Sequence, residues 1–525
     1  MFIAMDMGTS NTRLWLCEED NIIHFIKASI GAGITKSKGK AFLFAEIKKL
    51  IEGLMRDANI SADAVECIMV SGMAGSELGL IEVPRISLPI DAYTLAHHLQ
   101  THILPEISPI PFIFVPGIKK CNDSNIQDVI RGEETETTGI INALSLAEDC
   151  VLVLPGTHNK VLSLSKDGTI TDFYTTMSGE LLNTVIEHSI LAGTVGHEFI
   201  PNAGYVLRGA AYAKENGINA ALFQIRIMWL NGVATNELSS FLYGCVLGQD
   251  IERILLTAKG NRIFVGGNKA LKQIYTILLS SNAHPISDDL SASSTRIGLC
   301  MTYMLYKRLE NRSNIIQTIA REKLIAIIRN PDKETLLPAV QALYNGGVRM
   351  VEITFDRSGN TPKEETAQLI QYIKENTSLL VGAGTVTSKE ELLLAAGAGA
   401  SYIISPNCDD EIIKETRRLG LVSIPAAYTP TEIAAAIKAG ADYVKIFPAD
   451  DLPRGYIKAL KAPLSDARLL AVGGVTQTNA KDYLADGFDG IGVGSNLYCK
   501  ELITAKNFKA LEKLAKEYVS AVKKD

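Results

Sequence analysis

The sequence predicts two α/β domains in succession, and the second of them is a (β/α)8 barrel. A chain of 525 residues is too long for a single hydrophobic core. In the first part of the chain, a strand–turn–strand unit with small polar residues in its turn occurs twice. In the last part, short apolar runs alternate with helix-length amphipathic segments, which is typical of a parallel sheet buried on both faces.

The composition narrows the functional classes. The chain is 47% hydrophobic and 21% charged, as in ordinary globular proteins, and its net charge of −6 predicts no nucleic acid or anionic membrane as a partner. No apolar run approaches the roughly 20 residues of a membrane span. The segment Met1–Met7 lacks a basic region, so we expect no signal peptide.

Cysteine and histidine add two constraints. The eight cysteines are scattered singly, which indicates free thiols in a reducing cytoplasm. All eight histidines lie between His24 and His284. Any chemistry of the C-terminal domain is therefore expected to use neither a histidine base nor a histidine-bound metal.

The first strand–turn–strand unit begins at Phe2 and turns through Asp6-Met-Gly-Thr-Ser-Asn-Thr-Arg13. Backbone and hydroxyl donors in such a turn can hold phosphate, and the aspartate can hold a hydrated Mg²⁺. On its own this pattern is more often an ordinary hairpin turn. The unit returns, however, at Val151–Leu154, which runs into Pro155-Gly-Thr-His-Asn-Lys160 and a further strand. A third strand ends in Gly266-Gly267, where backbone could approach an adenosine closely.

Residues 1–300 resemble the 2-keto-3-deoxygalactonate kinase family of the actin-like/hexokinase ATPase superfamily. The motifs that carry the resemblance are Asp6–Arg13, Ser71-Gly-Met-Ala-Gly-Ser76, Arg131-Gly-Glu-Glu-Thr135, Leu154–Lys160 and Met177-Ser-Gly-Glu180. The resemblance implies an actin-like (ribonuclease H-like) fold that uses ATP and Mg²⁺. The residues it implies are Asp6 for the metal, Asp6, Gly8, Thr9, Ser10, Asn11, Gly156, Thr157 and Lys160 for the phosphates, and Gly266 and Gly267 for the nucleoside.

Phosphoryl transfer requires alignment, a metal and charge neutralisation, and a carboxylate should orient the acceptor hydroxyl. Our candidate is Asp128, with Asp123 behind it; solvated loop acids are an equally good interpretation of either residue. Arg131 and Glu133 could recognise the carboxylate and hydroxyls of the substrate. We expect this kinase domain to span residues 1–307, followed by a polar connector at 308–314 and a barrel domain at 315–525.

Eight apolar runs predict the barrel. They are Leu324–Ile328, Met350–Phe355, Leu379–Val386, Ser401–Ser405, Leu421–Ala426, Tyr443–Phe447, Leu469–Val475 and Gly490–Gly494. Polar residues and glycines occur at or near the ends of these runs, at the face where active sites of this fold lie. They are Arg329, Glu352, Thr385, Ser405, Pro406, Asn407, Lys445, Gly473, Gly474, Gly494 and Ser495. The glycine-bearing ends of the last two strands are the usual phosphate site of such barrels.

Lys445 lies in the middle of the sixth strand. A buried ammonium costs several kcal/mol unless it is paired or loses its proton, and a neutral amine attacks carbonyls. An ordinary strand lysine pairs with an acid or reaches outward, but here a carboxylate and a phosphate site converge on it. We therefore expect Lys445 to form a Schiff base with a ketone and Glu352 to act as the base; the alternative for Glu352 is a structural partner of Arg329 or Arg349.

Residues 315–510 are similar to the bacterial 2-keto-3-deoxy-6-phosphogluconate/galactonate aldolases. The matching motifs are Ile325–Arg329, Val351–Ile353, Gly382–Val386, Ser405–Asn407, Val444–Pro448 and Ala471–Val475. The resemblance implies catalysis by Lys445 and Glu352 without a cofactor. It implies substrate contacts at Arg329, Thr385, Ser405, Pro406, Asn407, Phe447, Gly473, Gly474, Gly494 and Ser495. The loop Thr354–Asn360 is longer than expected, and Arg357 lies one position from a loop arginine of gluconate-type members.

Together the two resemblances imply a bifunctional enzyme. It would phosphorylate 2-dehydro-3-deoxy-D-galactonate at O6 and cleave the product to pyruvate and glyceraldehyde 3-phosphate. One alternative is the gluconate-series pair of activities. Another is a sugar-sensing regulator with an inactive kinase domain. The intact Asp6 turn and Lys445 argue against this second alternative. We expect a cytoplasmic homo-oligomer, with a trimer through the barrel as the first candidate.

Overall fold

The computed structural model describes residues 1–122, 125–144, 146, 148–453 and 455–523, and the candidate acid Asp123 lies outside them. The chain divides into two compact units, Met1–Tyr306 and Lys307–Asp525. None of the helices in the described part of the chain is long and apolar enough to span a bilayer.

The first unit is built on two large sheets and a smaller three-stranded sheet of order β5-β8-β9, with flanking helices. Its strands are β1 (Phe2–Met7), β2 (Thr12–Glu18), β3 (Asn21–Ala28), β4 (Ile68–Gly72), β5 (Ile86–Ser87), β6 (Gln100–Leu104), β7 (Ser108–Phe114), β8 (Ile118–Asn122), β9 (Asn125–Ile130), β10 (Cys150–Leu154), β11 (Asn159–Leu164), β12 (Ile170–Thr176), β13 (Arg262–Val265) and β14 (Ala283–Pro285). Its α-helices are α1 (Thr35–Lys38), α2 (Lys40–Asp57), α3 (Ala92–His97), α4 (Glu133–Leu144), α5 (Ser178–His188), α6 (Ala203–Asn216), α7 (Ile218–Leu230), α8 (Thr235–Ala258), α9 (Lys269–Leu279) and the first part of α10 (Asp288–Glu322).

The two sheets share one plan. The first has the order β3-β2-β1-β4-β7-β6, and the second has the order β12-β11-β10-β13-β14. In each sheet, three consecutive strands pair antiparallel with one another. A later strand, β4 in the first sheet and β13 in the second, then pairs parallel with the first of the three. The repeated strand–turn–strand unit of the sequence is therefore confirmed as a structural duplication. Phe2 and Ala4 of β1 lie in the same apolar cluster as Leu152 and Leu154 of β10, so the sheets share a core.

The second unit is a closed parallel barrel. Its strands are β15 (Leu324–Ile328), β16 (Met350–Thr354), β17 (Leu380–Gly384), β18 (Tyr402–Ile404), β19 (Val422–Ile424), β20 (Ala426–Ala427), β21 (Val444–Ile446), β22 (Leu469–Val472) and β23 (Gly490–Val493). Its helices after α10 are α11 (Lys333–Asn345), α12 (Lys363–Asn376), α13 (Lys389–Gly397), α14 (Asp410–Arg418), α15 (Pro430–Ala439), α16 (Tyr456–Lys461), α17 (Ala480–Ala485), α18 (Lys500–Thr504) and α19 (Phe508–Lys523).

The strand order β19-β18-β17-β16-β15-β23-β22-β21-β20 begins and ends in the same predicted run. Pro425 separates β19 from β20 because it has no N–H to donate to a ladder. Its carbonyl still accepts a hydrogen bond from the Lys445 backbone N–H at 2.8 Å. The two short strands therefore occupy one position, and the predicted eight-position (β/α)8 barrel is confirmed.

Alternation along the strands separates the barrel interior from its outer layer. Val444 and Ile446 belong to the large apolar cluster between strands and helices, whereas Tyr443 belongs to a separate inner cluster. Lys445 therefore shares the inward face with Tyr443. The helix residues Ile315 and Ile319 belong to the same inner cluster and fill the floor of the barrel.

The connector expected at 308–314 is helical, because α10 continues through it, and the two units divide at Tyr306 and Lys307. The segment lacks a continuous apolar face, but Arg312 is buried and forms an ion pair with Asp442. That buried pair, together with Ile315 and Ile319, holds the end of the helix against the barrel.

Candidate functional sites

In the first unit, the two repeated turns face one cavity of about 320 Å³. The cavity is lined by Asp6, Met7, Gly8, Thr9, Arg13, Gly72, Met73, Arg131, Gly132, Glu133, Glu136, Leu154, Pro155, Gly156, Thr157, His158, Gly267 and Thr295. The first turn is closed by a hydrogen bond from the Gly8 N–H to the Asn11 carbonyl at 2.8 Å. Two facing turns with small residues are a suitable site for a chain of phosphates.

A buried polar network fixes the second turn. The Gly156 N–H donates to Asn159 Oδ1 at 3.0 Å, and Asn159 Nδ2 donates to the buried Asp250 carboxylate at 3.2 Å. The same carboxylate accepts from Ser178 at 2.8 Å and from Tyr275 at 2.7 Å. Asp250 lies far away in sequence, on α8, and no local motif predicted this role.

A second cavity of about 330 Å³ shares Gly156 and Thr157 with the first. Gly179, Tyr243 and Asn268 also line it. A side chain at Gly179 would lie 2.0 Å from the Gly156 carbonyl oxygen, so only glycine allows α5 to approach the turn. The pair of cavities provides space for the phosphates of a nucleotide and for its nucleoside.

Of the predicted glycine pair, only Gly267 lines the phosphate cavity; its φ is +77°, and a side chain there would lie 2.8 Å from the Pro155 carbonyl oxygen. A side chain at Gly266 would instead meet Leu154 at 2.9 Å. Ser10 and Asn11 are exposed and lie outside the residues that line the cavity, although Asn11 closes the turn.

Asp128 and Lys160 do not line the cavity, although the charge of Lys160 lowers the pKa of Glu133 against the effect of burial. Asp128 accepts hydrogen bonds from the Thr175 N–H at 2.6 Å and from the Thr175 hydroxyl at 2.8 Å. Lys160 is buried and donates to the same hydroxyl at 3.0 Å. Both side chains therefore tie strands together, since the inward or outward direction of a residue at a strand end could not be read from the sequence. His158 in the second turn hydrogen-bonds to Glu180 at 2.7 Å.

The carboxyls that do reach the cavity are those of Asp6, Glu133 and Glu136. Asp6 accepts from Arg13 Nε at 3.0 Å and from Nη2 at 2.5 Å, across the pair Asp6–Arg13 of the β-ladder. Burial raises the pKa of Glu133, and burial together with the charges of Glu133 and Asp6 raises the pKa of Glu136 to about 7. Arg131 also lines the cavity and donates to the Val83 carbonyl at 2.7 Å.

In the barrel, Lys445 and Glu352 are 8% and 2% exposed. Burial lowers the pKa of the Lys445 ammonium, and the Glu352 carboxylate opposes that shift. Burial raises the pKa of Glu352, against the opposing charges of Lys445 and Arg329. One carboxylate oxygen of Glu352, Oε2, is buried without a hydrogen-bond partner among the described residues. This is the environment in which an amine becomes a nucleophile and a carboxyl becomes an acid–base group near neutral pH.

The glycines of β17 make room for this arrangement. A side chain at Gly384 would lie 1.7 Å from Glu352 Oε1, and one at Gly382 would lie 2.0 Å from the ring of Tyr402. The Glu352 carboxyl therefore occupies the space that a side chain at Gly384 would fill. The motif Gly382–Val386 was noted in the sequence, but its packing role was not predicted.

The other predicted barrel residues lie around the same mouth. Thr385 has a φ of +59°, and Gly473 and Gly474 have φ values of +102° and +67°. A side chain at Gly494 would meet the Arg329 guanidinium at 3.1 Å. Arg329 and Ser495 line a cavity of about 450 Å³ that lies beside Lys445 and Glu352 in the fold but is not lined by either of them. Ser405 is buried, whereas Pro406 and Asn407 are exposed.

Phe447 lies close to the nucleophile. Lys445 Nζ lies 5.1 Å from the centre of the Phe447 ring. The ring is 46% exposed, so it forms part of the open mouth.

Arg357 does not extend into the mouth as a free cation. Its Nη2 donates to the Thr385 carbonyl at 2.7 Å, to the buried carboxylate of Glu391 at 2.7 Å and to Thr387. Arg357 therefore fixes the backbone at Thr385. Recognition of a substrate carboxylate by this loop arginine is not supported by its contacts.

Comparison with known proteins gives two family matches. The family model for 2-keto-3-deoxy-galactonokinase matches residues 6–302, and the model for KDPG and KHG aldolase matches residues 315–514. The 2-dehydro-3-deoxy-6-phosphogalactonate aldolase of Escherichia coli is 38% identical over 176 residues, which cover 33% of this chain and 84% of that protein. The 2-dehydro-3-deoxy-phosphogluconate aldolase of Haemophilus influenzae is 30% identical over 213 residues, 40% of this chain and 97% of that protein.

For the first unit, a probable 2-dehydro-3-deoxygalactonokinase of Rhizobium meliloti is 28% identical over 304 residues, which cover 57% of this chain and 95% of that protein. Each match covers one of the two units, and the family models lie end to end along the chain. The chain therefore belongs to the 2-keto-3-deoxy-galactonokinase family through its first 302 residues and to the KDPG and KHG aldolase family through residues 315–514.

Proposed function

We propose that this chain carries out two consecutive steps of sugar-acid breakdown. The first unit phosphorylates 2-dehydro-3-deoxy-D-galactonate at O6 with ATP, and the barrel cleaves the product to pyruvate and D-glyceraldehyde 3-phosphate. The observation that carries the proposal is the buried pair Lys445 and Glu352 in a barrel that follows, on the same chain, a kinase-family cavity between two phosphate-type turns.

In the phosphorylation step, the turns at Gly8–Thr9 and Gly156–Thr157 would hold the phosphates of ATP. Among the described residues no three or more His, Cys, Asp or Glu side chains are arranged to enclose a metal, but Mg²⁺ usually binds through one or two carboxylates, waters and the phosphates themselves. Asp6, held at the cavity by Arg13, fits that requirement. When bound, Mg²⁺ would neutralise charge on the transferred phosphoryl group.

The acceptor hydroxyl also needs a carboxylate to orient it. We place this role on Glu133 rather than Asp128, because Glu133 lines the cavity and burial raises its pKa towards the range of a general base. Glu133→Gln should lower kcat for phosphorylation by about 100-fold or more, the usual contribution of a general base. Asp128→Asn, which keeps the hydrogen-bonding shape, should cost much less.

In the cleavage step, neutral Lys445 would attack C2 of the ketone and, with proton transfer to the leaving oxygen and loss of water, form a protonated imine. Glu352 would take the proton of the C4 hydroxyl; the C3–C4 bond then breaks, its electron pair passes into the imine as an enamine, and glyceraldehyde 3-phosphate leaves. Protonation of the enamine at C3 and addition of water release pyruvate and regenerate the amine. Backbone N–H groups at Gly473, Gly474 and Gly494 would hold the substrate phosphate.

The choice of the galactonate series is supported by both units. The matching kinase model is that of galactonokinases, and the identities to two phosphogalactonate aldolases, 38% and 36%, exceed those to phosphogluconate aldolases, 30% to 33%. The residue before the glycine pair of the seventh barrel strand is Val472. The resemblance to these aldolases implies a galactonate type there, since the gluconate type is expected to carry a threonine.

The test is a coupled assay of the purified protein with ATP and each ketodeoxy acid, followed by measurement of pyruvate. Pyruvate should appear from the galactonate epimer, and ADP should form in equal amount. Lys445→Ala should abolish cleavage and leave phosphorylation intact, and borohydride with pyruvate should label a peptide that contains Lys445. Absence of ATP turnover with either acid would favour the regulator alternative, and labelling of another lysine would refute the assignment of Lys445.

A further inference from the structure

Arg131 lines the kinase cavity, and a second guanidinium group, that of Arg85, lies near enough for its charge to act on Arg131. Arg131 follows β9 and Arg85 precedes β5, and both strands pair with β8. In both ladders the partner of Ile118 is the neighbouring isoleucine, Ile130 or Ile86, so Arg131 and Arg85 flank Gly117 on either side. Residues level with one another across a sheet point to the same face.

Small residues make space for this pair. A side chain at Gly117 would lie 3.3 Å from Arg131 Cζ, and one at Gly75 would lie 2.7 Å from Arg131 Nη1. The Arg131 guanidinium therefore lies over two glycines, with one nitrogen bound to the Val83 carbonyl. Any other residue at Gly75 or Gly117 would displace it.

Three nitrogens of the pair are buried without a hydrogen-bond partner among the described residues: Arg131 Nε, Arg131 Nη1 and Arg85 Nε. Buried donors of a cation that lack a partner are costly, and two adjacent cations repel each other. This cost is removed if an anion with planar, paired oxygens enters the cavity, since guanidinium groups match carboxylates in two-point geometry.

Nearby acids of the protein do not supply that anion. Burial raises the pKa of Glu134 to about 7, and its carboxyl accepts from the Gly132 N–H at 2.8 Å. Glu82 is exposed. Burial and the positive charge of Arg85 lower the pKa of Arg131, which shows that the two guanidinium groups lie close enough to repel each other.

We propose that Arg85 and Arg131 together bind the carboxylate of the sugar acid in the kinase site, with Arg85 as the second guanidinium of the pair. This inference rests on the proposed function of the first unit. Arg131 lines the cavity that also contains Glu133 and the phosphate turns, so the acid end of the substrate lies at Arg131 and its hydroxyl end faces Glu133 and ATP. Arg85 thereby selects acids over uncharged ketoses of the same length.

The test compares wild type with Arg85→Met and Arg85→Lys on two acceptors, the ketodeoxy acid and the matching 3-deoxyketose with CH2OH in place of the carboxylate. Arg85→Met should raise KM for the acid by about 10- to 100-fold, the effect of losing a hydrogen bond to a charged group. KM for ATP and the kinetics with the uncharged acceptor should stay as in wild type, and lysine should restore part of the loss. Arg56→Met is the matched control, because the Arg56 side chain is 77% exposed.

Two results would overturn the inference. One is an unchanged KM for the acid in Arg85→Met; the other is an equal loss with both acceptors, which indicates a structural role. If wild type does not phosphorylate the acid at all, calorimetric binding of the acid decides. Binding that is weakened by Arg85→Met upholds the carboxylate site while the proposed reaction fails, and absence of binding to wild type refutes both.

Discussion

Gly384 determines where the acid–base group of the barrel can lie. A side chain there would overlap Glu352 Oε1 at 1.7 Å, and the strand cannot retreat because Gly384 pairs with both Thr354 and Ile404. Glu352 would have to move instead. Gly384, which has no side chain, thus determines the position of the Glu352 carboxyl.

We therefore expect Gly384→Ala to lower kcat for cleavage by about 100-fold or more, because displacement of a catalytic group by about 1 Å costs that much. Phosphorylation by the same chain should be unchanged. The matched control is Gly397→Ala, since a side chain at that exposed helical position meets no atom within 4 Å. Near-normal cleavage by Gly384→Ala would show that Glu352 is not the acid–base group.

Val472 is the position at which we expect the aldolase to distinguish the phosphogalactonate from the phosphogluconate epimer. It is 5% exposed on β22, two residues beyond inward-facing Leu470, and a side chain at Gly492 would meet it at 2.9 Å. Val472→Thr introduces a hydroxyl into this layer, and a hydrogen bond gained by one epimer contributes about 0.5–1.5 kcal/mol, or roughly 2- to 12-fold in kcat/KM.

The expected result is a shift of Val472→Thr towards the phosphogluconate epimer, measured as the ratio of kcat/KM for the two phosphorylated acids. Val472→Ala, which removes volume without adding a hydroxyl, serves as the comparison and should leave the ratio near that of wild type. A wild-type enzyme that already strongly prefers the gluconate epimer, or a ratio insensitive to threonine, would contradict the assignment.

At the scale of elements, the N-terminus of α4 contains a buried carboxyl, that of Glu134, whose ionised form is destabilised by burial. Glu134 is fully buried at this helix N-terminus, and burial raises the pKa of its carboxyl to about 7 from an ordinary value of 4.5. Between these two pH values the folded state binds more protons than the unfolded state. The stabilising contribution of the protonated group is therefore complete below pH 4.5 and is lost as the pH rises through 7.

Glu134→Gln should consequently raise the free energy of unfolding of the first unit at pH 8 relative to wild type, and much less at pH 5. Glutamine can still accept from the Gly132 N–H. Both tryptophans, Trp15 and Trp229, lie in the first unit, so their fluorescence during urea unfolding reports on that unit. Glu215→Gln, at an exposed position, should give no such pH-dependent gain; an equal gain at both pH values would argue against a raised pKa at Glu134.

The direction of a side chain could be predicted from the sequence in the middle of a strand but not near its end. The inward direction of Lys445 and Glu352 could be predicted, because a strand repeats every two residues and both lie in the middle of buried runs. The direction of Asp128 and Lys160 could not be predicted, since both lie near strand ends beside turns. Asp250 was missed for a different reason: its partners come from β11, α5 and α9, and no local pattern joins segments so far apart in sequence.

At the scale of the whole molecule, the two reactions should be separable by single substitutions. Asp6→Ala should remove phosphorylation and leave cleavage of phosphorylated substrate near normal, because Asp6 lies at the phosphate cavity of the first unit. Lys445→Ala should do the reverse. Neither variant alone should convert the unphosphorylated acid to pyruvate.

An equal mixture of the two variants should restore pyruvate formation from the unphosphorylated acid, after a lag while the phosphorylated intermediate accumulates. The measurement is a continuous pyruvate assay with ATP, with each variant alone as the control. Failure of the mixture, although each variant retains its single activity, would show that the intermediate does not pass through solution.

The floor of the barrel has a consequence for genetics and for protein engineering. Ile315, Ile319 and the buried Arg312–Asp442 pair are encoded upstream of the first barrel strand, inside the helix Asp288–Glu322. A reading frame opened at Leu324 would yield an aldolase without the two isoleucines that fill the floor of the barrel and without the Arg312 partner of Asp442. An isolated aldolase domain must therefore include the C-terminal part of this helix. Fused domains can usually be separated or exchanged at a loop, whereas here the boundary lies inside a helix.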